Sequence, residues 1–300
     1  MNKISLTSII LTFNEELHIE RCLKNVCLIS EKVYVIDCFS KDRTCEIASK
    51  FENVEVVQHE WPGNQAAQFN WFIDNHEIAS DWILRLDADE YLEDALIERM
   101  QRELPTLPED VTAIDIRLKH VFLGKFIKGG SGKKYMSRFF KYGKAKSENR
   151  QMDEHMEISE GRKIQWEEAF YDDNLNHLGW WTTKHNGYSI REAVDLLDAE
   201  YGFTDLNDGS TIGGQASGTR RAKLRYAKLP LFWRSFAYFL YRYFLKGGCL
   251  EGKEGFIWCF LQGWWYRTLV DAKIYEIKKI CNKDKEKIRE YLKNEYNIVL

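Results

Sequence analysis

The sequence predicts an α/β chain: a Rossmann-like mixed, mainly parallel sheet, followed by a helical, aromatic-rich C-terminal region. Three observations predict it. Apolar, β-branched runs alternate with helical stretches over the first 90 residues, each run stops at a polar cluster, and aromatic residues crowd two late helical segments. Strands alternating with helices imply right-handed crossovers and parallel pairing.

Residues 4–12 form the first strand, closed by Asn14, Glu15 and Glu16, where Asn caps and the acids suit the positive first turn of a helix. A second cycle runs from a strand at 32–37 through a turn at 38–41, with Ser40 as cap, into a helix at 42–51. A third strand starts at 54–58, a helix is expected over 65–76, and the strand at 82–86 stops at Asp87-Ala88-Asp89-Glu90. Residues 111–170 read as strand-rich, over 113–121, 135–140 and a polar stretch at 151–158, and as an extension of the same sheet. Helix returns over 184–201, and 204–219 reads as a glycine-rich linker or lid. Two aromatic helices follow at 232–244 and 256–266. The longest uncharged run there, 255–266, is short of the roughly 20 residues that cross a bilayer. A last helix at 278–292 is highly charged and expected to be solvated.

Composition narrows the class. With 44% hydrophobic and 30% charged residues and four prolines, the 300-residue chain is neither disordered nor collagenous. A net charge of -3 argues against nucleic acid as a partner. The average conceals a segment, 210–250, without Asp or Glu that carries Arg220, Arg221, Lys223, Arg225, Lys228, Arg234, Arg242 and Lys246. Seven cysteines without a C-x-x-C pair, and no signal-peptide pattern, point to a reducing cytoplasm.

In doubly wound sheets ligands gather outside the carboxyl ends of the strands. Here those ends carry Thr12 to Glu15, Asp37, and Asp87 to Asp89. Residues two apart in a strand face the same way, so Asp87 and Asp89 can hold a divalent ion, Mg²⁺ or Mn²⁺, beside a diphosphate. A strand-end turn or helix cap explains the pair equally when it is taken alone. Carboxylates facing outward at Glu15 and Asp37 would accept hydrogen bonds from a base or ribose.

The runs Ser8-Ile9-Ile10-Leu11-Thr12-Phe13-Asn14-Glu15, Val35-Ile36-Asp37-Cys38-Phe39-Ser40-Lys41-Asp42-Arg43-Thr44 and Trp82-Ile83-Leu84-Arg85-Leu86-Asp87-Ala88-Asp89-Glu90 resemble the successive signatures of glycosyltransferase family 2, over about the first 90 residues. The later chain resembles the bacterial branch that builds lipopolysaccharide core, capsule or O-antigen. The resemblance implies an inverting nucleotide-sugar enzyme of the A-type glycosyltransferase fold. Residues 1–110 would bind the nucleotide sugar and 111–203 the acceptor as two halves of one domain, with a loop at 204–219 and a helical region at 220–300. It also implies that Thr12, Asn14, Glu15 and Asp37 surround the nucleoside, Asp87 lies near the ribose and Asp89 on the metal. One departure is visible: the family's Gln-Arg-Asn triplet, whose Arg meets the diphosphate, is Gln68-Phe69-Asn70 here. Gln65, Gln68 or Arg85 would substitute, or the metal alone would neutralise the charge.

Inverting transfer needs a general base for the acceptor hydroxyl. The resemblance places a catalytic acid in Met152-Asp153-Glu154-His155-Met156, with Glu154 the first choice, Asp153 the second and His155 an orienting group. His185 completes the metal shell, touches the leaving phosphate or is a satisfied core or surface histidine, and Trp180-Trp181 either stacks on a sugar or packs. The resulting expectation is metal-dependent transfer of a hexose, UDP-linked, to a glycan on a lipid carrier or lipopolysaccharide. The aromatic, basic helices would rest on the anionic inner face of the cytoplasmic membrane. Alternatives are a sugar-phosphate nucleotidyltransferase, disfavoured by an acidic first loop, a glycosidase, and a non-catalytic glycan-binding module.

Overall fold

In the computed structural model, which describes residues 4–130, 132–148, 155–203, 222, 225–298 and 300, the chain divides into two units. Met1–Phe126 with Lys133–Asn176 makes the first, and Ile127–Gly132 with His177–Leu300 the second.

The alternating elements of the first unit build a single large sheet. β1 (Ile4–Thr12) pairs in parallel with β2 (Ser30–Asp37) and β4 (Trp82–Asp87), and β2 with β3 (Val54–Gln58). Beyond β4 the sheet turns mixed. β8 (Lys134–Lys141) runs antiparallel between β4 and β6 (Val111–Phe122), β6 is parallel to β11 (Arg162–Asp173), and β5 (Glu90–Leu92) closes the edge antiparallel to β11. The stretch 111–170 thus extends the sheet as the sequence indicates. The short β7 (Lys125–Phe126) folds back on β6. Of the polar stretch at 151–158 the described part contains β10 (Met156–Ile158), which pairs with β9 (Ala145–Ser147) apart from the large sheet.

Helices cover both faces, which is why the strands are apolar along their whole length. On one face α1 (Ile19–Val26), α2 (Thr44–Ala48) and α4 (Asp94–Glu103) bury Leu23, Ala48 and Met100 against Ile10, Val35, Leu84 and Leu86. On the other, α3 (Gln65–Asn75) buries Phe69 and Phe72 against Ile9, Ile36, Ile83 and Phe140.

The second unit joins Ile127–Gly132 to the chain from His177 onward. Within it, α5 (Leu178–Tyr201) places Ala193, Leu196 and Leu197 against Val270, Ile274 and Ile277 of α8 (Tyr266–Ile280). Residues 204–219 lie outside the described residues. The expected solvated helix at 278–292 is corrected. The chain breaks after Ile280, where Asn282 and Lys283 adopt left-handed φ of 52° and 59°. It restarts as α9 (Lys285–Tyr296), capped by Asp284 accepting from the Lys287 amide at 2.9 Å. Ile288 and Leu292 are fully buried in the same core. Between α5 and α8 lie α6 (Trp233–Leu240), continued by a π turn over Tyr241–Leu245, and α7 (Gly252–Trp258), continued by another over Cys259–Trp265. Gly129 is packed so closely on Gly247 that an added Cβ would lie 2.4 Å from the Gly247 carbonyl oxygen. Among the described residues no helix is long and apolar enough to cross a membrane.

Candidate active site

The carboxyl ends of three parallel strands lie level. Thr12 is registered with Asp37 and Leu11 with Asp87, so Asp37 and Asp87 flank the end of β1, roughly 10 Å apart at the usual strand spacing. A cleft at the opposite edge, beside Ile4, Ser80 and Trp82, lies at the amino ends of the strands, away from these carboxylates.

The loops after β1 and β2 are laced together. Asn14, at a left-handed φ of 55° that Asn tolerates, accepts from the Lys41 amide at 2.8 Å, while its own amide donates to Ser40 Oγ at 2.8 Å. The Glu15 amide donates to Thr44 Oγ1 and the Glu16 amide to Asp42. Asp37 does not face outward as expected. It is fully buried and accepts from the Ser40 amide at 2.8 Å, the Ser40 hydroxyl and the Thr12 hydroxyl at 3.2 Å. A buried carboxylate must be satisfied, and this one is satisfied by the loop it shapes. The Glu15 carboxylate turns to His18 Nδ1 at 2.6 Å. Because the Leu175 amide donates to His18 Nε2 at 2.8 Å, the ring proton sits on Nδ1 and points at Glu15.

Two of the three groups expected to replace the missing Arg are committed elsewhere. Gln68 is buried, accepting from His59 Nδ1 at 2.7 Å and donating to Cys38 Sγ at 3.3 Å. Arg85 is buried with its guanidinium over the Phe69 ring and a bond to Ser147 Oγ at 3.3 Å. Gln65, in the first turn of α3, is exposed.

A clamp unseen in the sequence holds the Asp87-Ala88-Asp89 turn. Glu90 Oε2 accepts from the Asp87 amide at 2.9 Å, and Glu90 Oε1 pairs with Arg138 of β8, which lies over the Phe170 ring. Both partners are buried, and Arg138 also stands 3.8 Å from Asp87 Oδ2. Burial pushes the Glu90 carboxyl well above the ordinary range, Asp87 and Asp172 push the same way, and Arg138 opposes them. Asp87 Oδ1 is buried and has no hydrogen-bond partner. Asp89 Oδ2 accepts from Asn174 at 2.9 Å, and its carbonyl receives the Asp173 amide at 3.1 Å and Arg21 at 3.3 Å. Among the described residues no three His, Cys, Asp or Glu side chains form a complete metal cage. An acceptor oxygen without a donor beside a second carboxylate does fit a hard divalent ion that takes its remaining ligands from phosphate and water.

Asp153 and Glu154 lie outside the described residues. The described residues on either side are fixed: Asn70 donates to the Ser147 carbonyl at 2.7 Å and accepts from its amide at 2.9 Å, and the Glu148 amide donates to the His155 carbonyl at 2.8 Å. Ser147 also meets Arg85, two residues before Asp87. His185 belongs to the second unit, where the structural reading holds. Its Nδ1 bonds the Trp181 carbonyl at 2.9 Å, its Nε2 lies 2.9 Å from Gln262 Nε2, and its ring stacks on Trp181. With both ring nitrogens engaged, no lone pair points to a metal, and Trp181 packs. Glu90 stood in the motif without a role. The signal for Arg138 was the single cation within the strand at 135–140, between Ser137 and Phe139.

A family model described as glycosyl transferase family 2 matches residues 7–160. An uncharacterized glycosyltransferase of Rickettsia typhi is 35% identical over 101 residues, 34% of this chain and 32% of that protein. One of Rickettsia bellii is 32% identical over 101 residues, 32% of this chain and 31% of that protein. The match therefore spans about a third of the length of these curated relatives. Among solved structures, TarS (residues 1–349) of S. aureus gives a TM-score of 0.46 at 14% identity, covering 92% of both chains. Glucosyl-3-phosphoglycerate synthase of Mycobacterium tuberculosis, in complex with Mn²⁺, UDP and glucosyl-3-phosphoglycerate, gives 0.32 at 16%, covering 38% and 44%.

Proposed function

Because the chain belongs to glycosyltransferase family 2, we propose that it moves a hexose from a UDP-linked donor, with inversion, to a glycan acceptor on a lipid carrier or lipopolysaccharide. The observation that carries this reading is the buried, partnerless Asp87 Oδ1 at the carboxyl edge of the parallel strands. That edge is where a doubly wound sheet takes its ligand, and an acceptor without a donor there calls for one.

On this reading the nucleoside lies over the laced loops of Thr12, Asn14 and Glu15, whose shape Asp37 sets from beneath. Asp87 meets the ribose, and Asp89 would hold Mg²⁺ or Mn²⁺. Bound there, the cation would supply Lewis-acid neutralisation of the leaving diphosphate, worth several kcal/mol. Glu154, or Asp153 in its place, takes the proton of the acceptor hydroxyl as that oxygen attacks the anomeric carbon opposite the diphosphate. A glycosidic bond forms, the bond to the β-phosphate oxygen breaks, and UDP departs. Ser147 of β9, pinned by Asn70 and by Arg85 of β4, fixes the chain ahead of the proposed base and supports this reading. The Glu90–Arg138 clamp positions the carboxylates without touching substrate. A place on the inner face of the cytoplasmic membrane follows from a lipid-borne acceptor.

A thermal-shift panel of nucleotide sugars with Mn²⁺ and with chelator tests the reading, since a ligand bound only by the folded chain raises its stability. UDP-sugars should stabilise the chain only with the cation. Glu154→Gln should keep that shift and lose turnover. No shift with any nucleotide sugar would end the reading, and release of pyrophosphate in place of UDP would favour a nucleotidyltransferase.

A further inference from the structure

The helix formed by α6 and its π turn is inside out. Its solvent side carries Trp233, Ala237, Leu240, Tyr241, Phe244 and Leu245, at the i, i+4, i+7, i+8, i+11, i+12 spacing of one helical face, and all six are apolar or aromatic. Its buried side carries the charges. Arg234 pairs with buried Asp271 at 2.5 Å, and Arg242 donates through Nε to the Gly130 carbonyl. Trp233 is 73% exposed, Leu245 78% and nearby Leu250 85%, so the apolar face meets solvent.

Other aromatics of this segment do make a core. Phe239 and Trp264 stack at 5.5 Å, and Phe236 and Phe260 pack on Trp264, so internal packing accounts for those rings and not for the exposed stripe.

We propose that this stripe, continued by Leu250, docks into the boundary between headgroups and acyl chains of an anionic bilayer. The charges around it select that occupant. Lys246 and Lys253 are exposed at its margin, Lys246 lying 5.5 Å from the Tyr241 ring, while of the acids that follow Leu250, Glu251 is turned to the Gly129 amide at 2.8 Å and Glu254 is half-buried. An isologous pair of chains would set this patch and its lysines against themselves, whereas an anionic leaflet meets both the apolar face and the cations. Insertion is shallow, because the stripe is one face of a short helix. Docking deepens the reading of a lipid-borne acceptor and rests on it for purpose, but its test is independent of the chemistry.

The test is flotation of the full chain with vesicles of phosphatidylcholine, with and without phosphatidylglycerol. The chain should float with the anionic vesicles, and adding salt should release part of it. Leu245→Gln with Leu250→Gln, both at exposed positions, should weaken partitioning about tenfold or more while leaving the UDP-dependent thermal shift intact. Failure of the intact chain to float with phosphatidylglycerol overturns the proposal, as does undiminished flotation of the variant. A dimer in sedimentation that the same substitutions dissociate would assign the face to a second copy. Loss of the UDP shift in the unmutated chain would strike the glycosyltransferase reading and leave the flotation result standing.

Discussion

Removing Arg138 and removing Glu90 should not be equivalent, although they form one buried pair. Losing one partner of such a pair costs about 3–5 kcal/mol because an uncompensated charge stays behind. In Glu90→Gln the remaining group is Arg138, which cannot give up its proton and still has the Asp87 carboxylate at 3.8 Å, so the cost should change little with pH. In Arg138→Met the stranded group is a carboxyl that burial already pushes well above its ordinary value of about 4.5, and it can neutralise by keeping a proton. The sign then follows. Between the ordinary and the raised value the folded chain holds a proton that the unfolded chain has released, so stability falls as pH rises, by up to about 1.4 kcal/mol per pH unit. Arg138→Met should therefore cost less near pH 5 than near pH 7, whereas the cost of Glu90→Gln should change little over the same range. Urea unfolding of both variants across this range measures it, with the Mn²⁺-dependent UDP shift as a second readout of the loosened Asp87–Asp89 turn. Equal, pH-independent losses in the two variants would refute the reasoning.

Asp87→Asn and Asp89→Asn should each weaken cation-dependent UDP binding about tenfold or more in calorimetry, while a variant that binds UDP as well with chelator as with Mn²⁺ would remove that residue from the cation site. Leu292→Ala should lower stability by about 2–5 kcal/mol in urea unfolding, because its side chain is fully buried under α8; a change below about 0.5 kcal/mol would return α9 to the solvent. Burial and the neighbouring Asp37 raise the Cys38 and Cys45 thiols to about 11, so at pH 8 only about one part in a thousand of each is thiolate. Exposed Cys249 should react with a disulfide reagent well before either, and Cys249→Ser should remove that early phase.

The parallel half of the sheet was legible because its signals are local. An apolar run ending in Thr12, Asp37 or Asp87 states both the strand and the edge at which it stops, and the observed register places those residues level. The helical end was less legible. Charges at 278–292 hid Ile288 and Leu292, whose burial depends on the chain reversing at Asn282 and Lys283 and returning α9 to the core that α5 and α8 share. Eight cations in an acid-free segment suggested a basic surface, yet Arg234 and Arg242 point inward to partners far off in sequence.

The sequence by itself determined the strand–helix alternation, the edge that carries the site and the family, since period, cap and motif are properties of a few consecutive residues. Only the tertiary structure decided that Asp37 is buried beneath its loop, that Glu90 and Arg138 grip the Asp87–Asp89 turn, and that an apolar helix face meets solvent. Each of these depends on which distant groups come within hydrogen-bonding or packing distance, and strand pairing sets that rather than any local pattern.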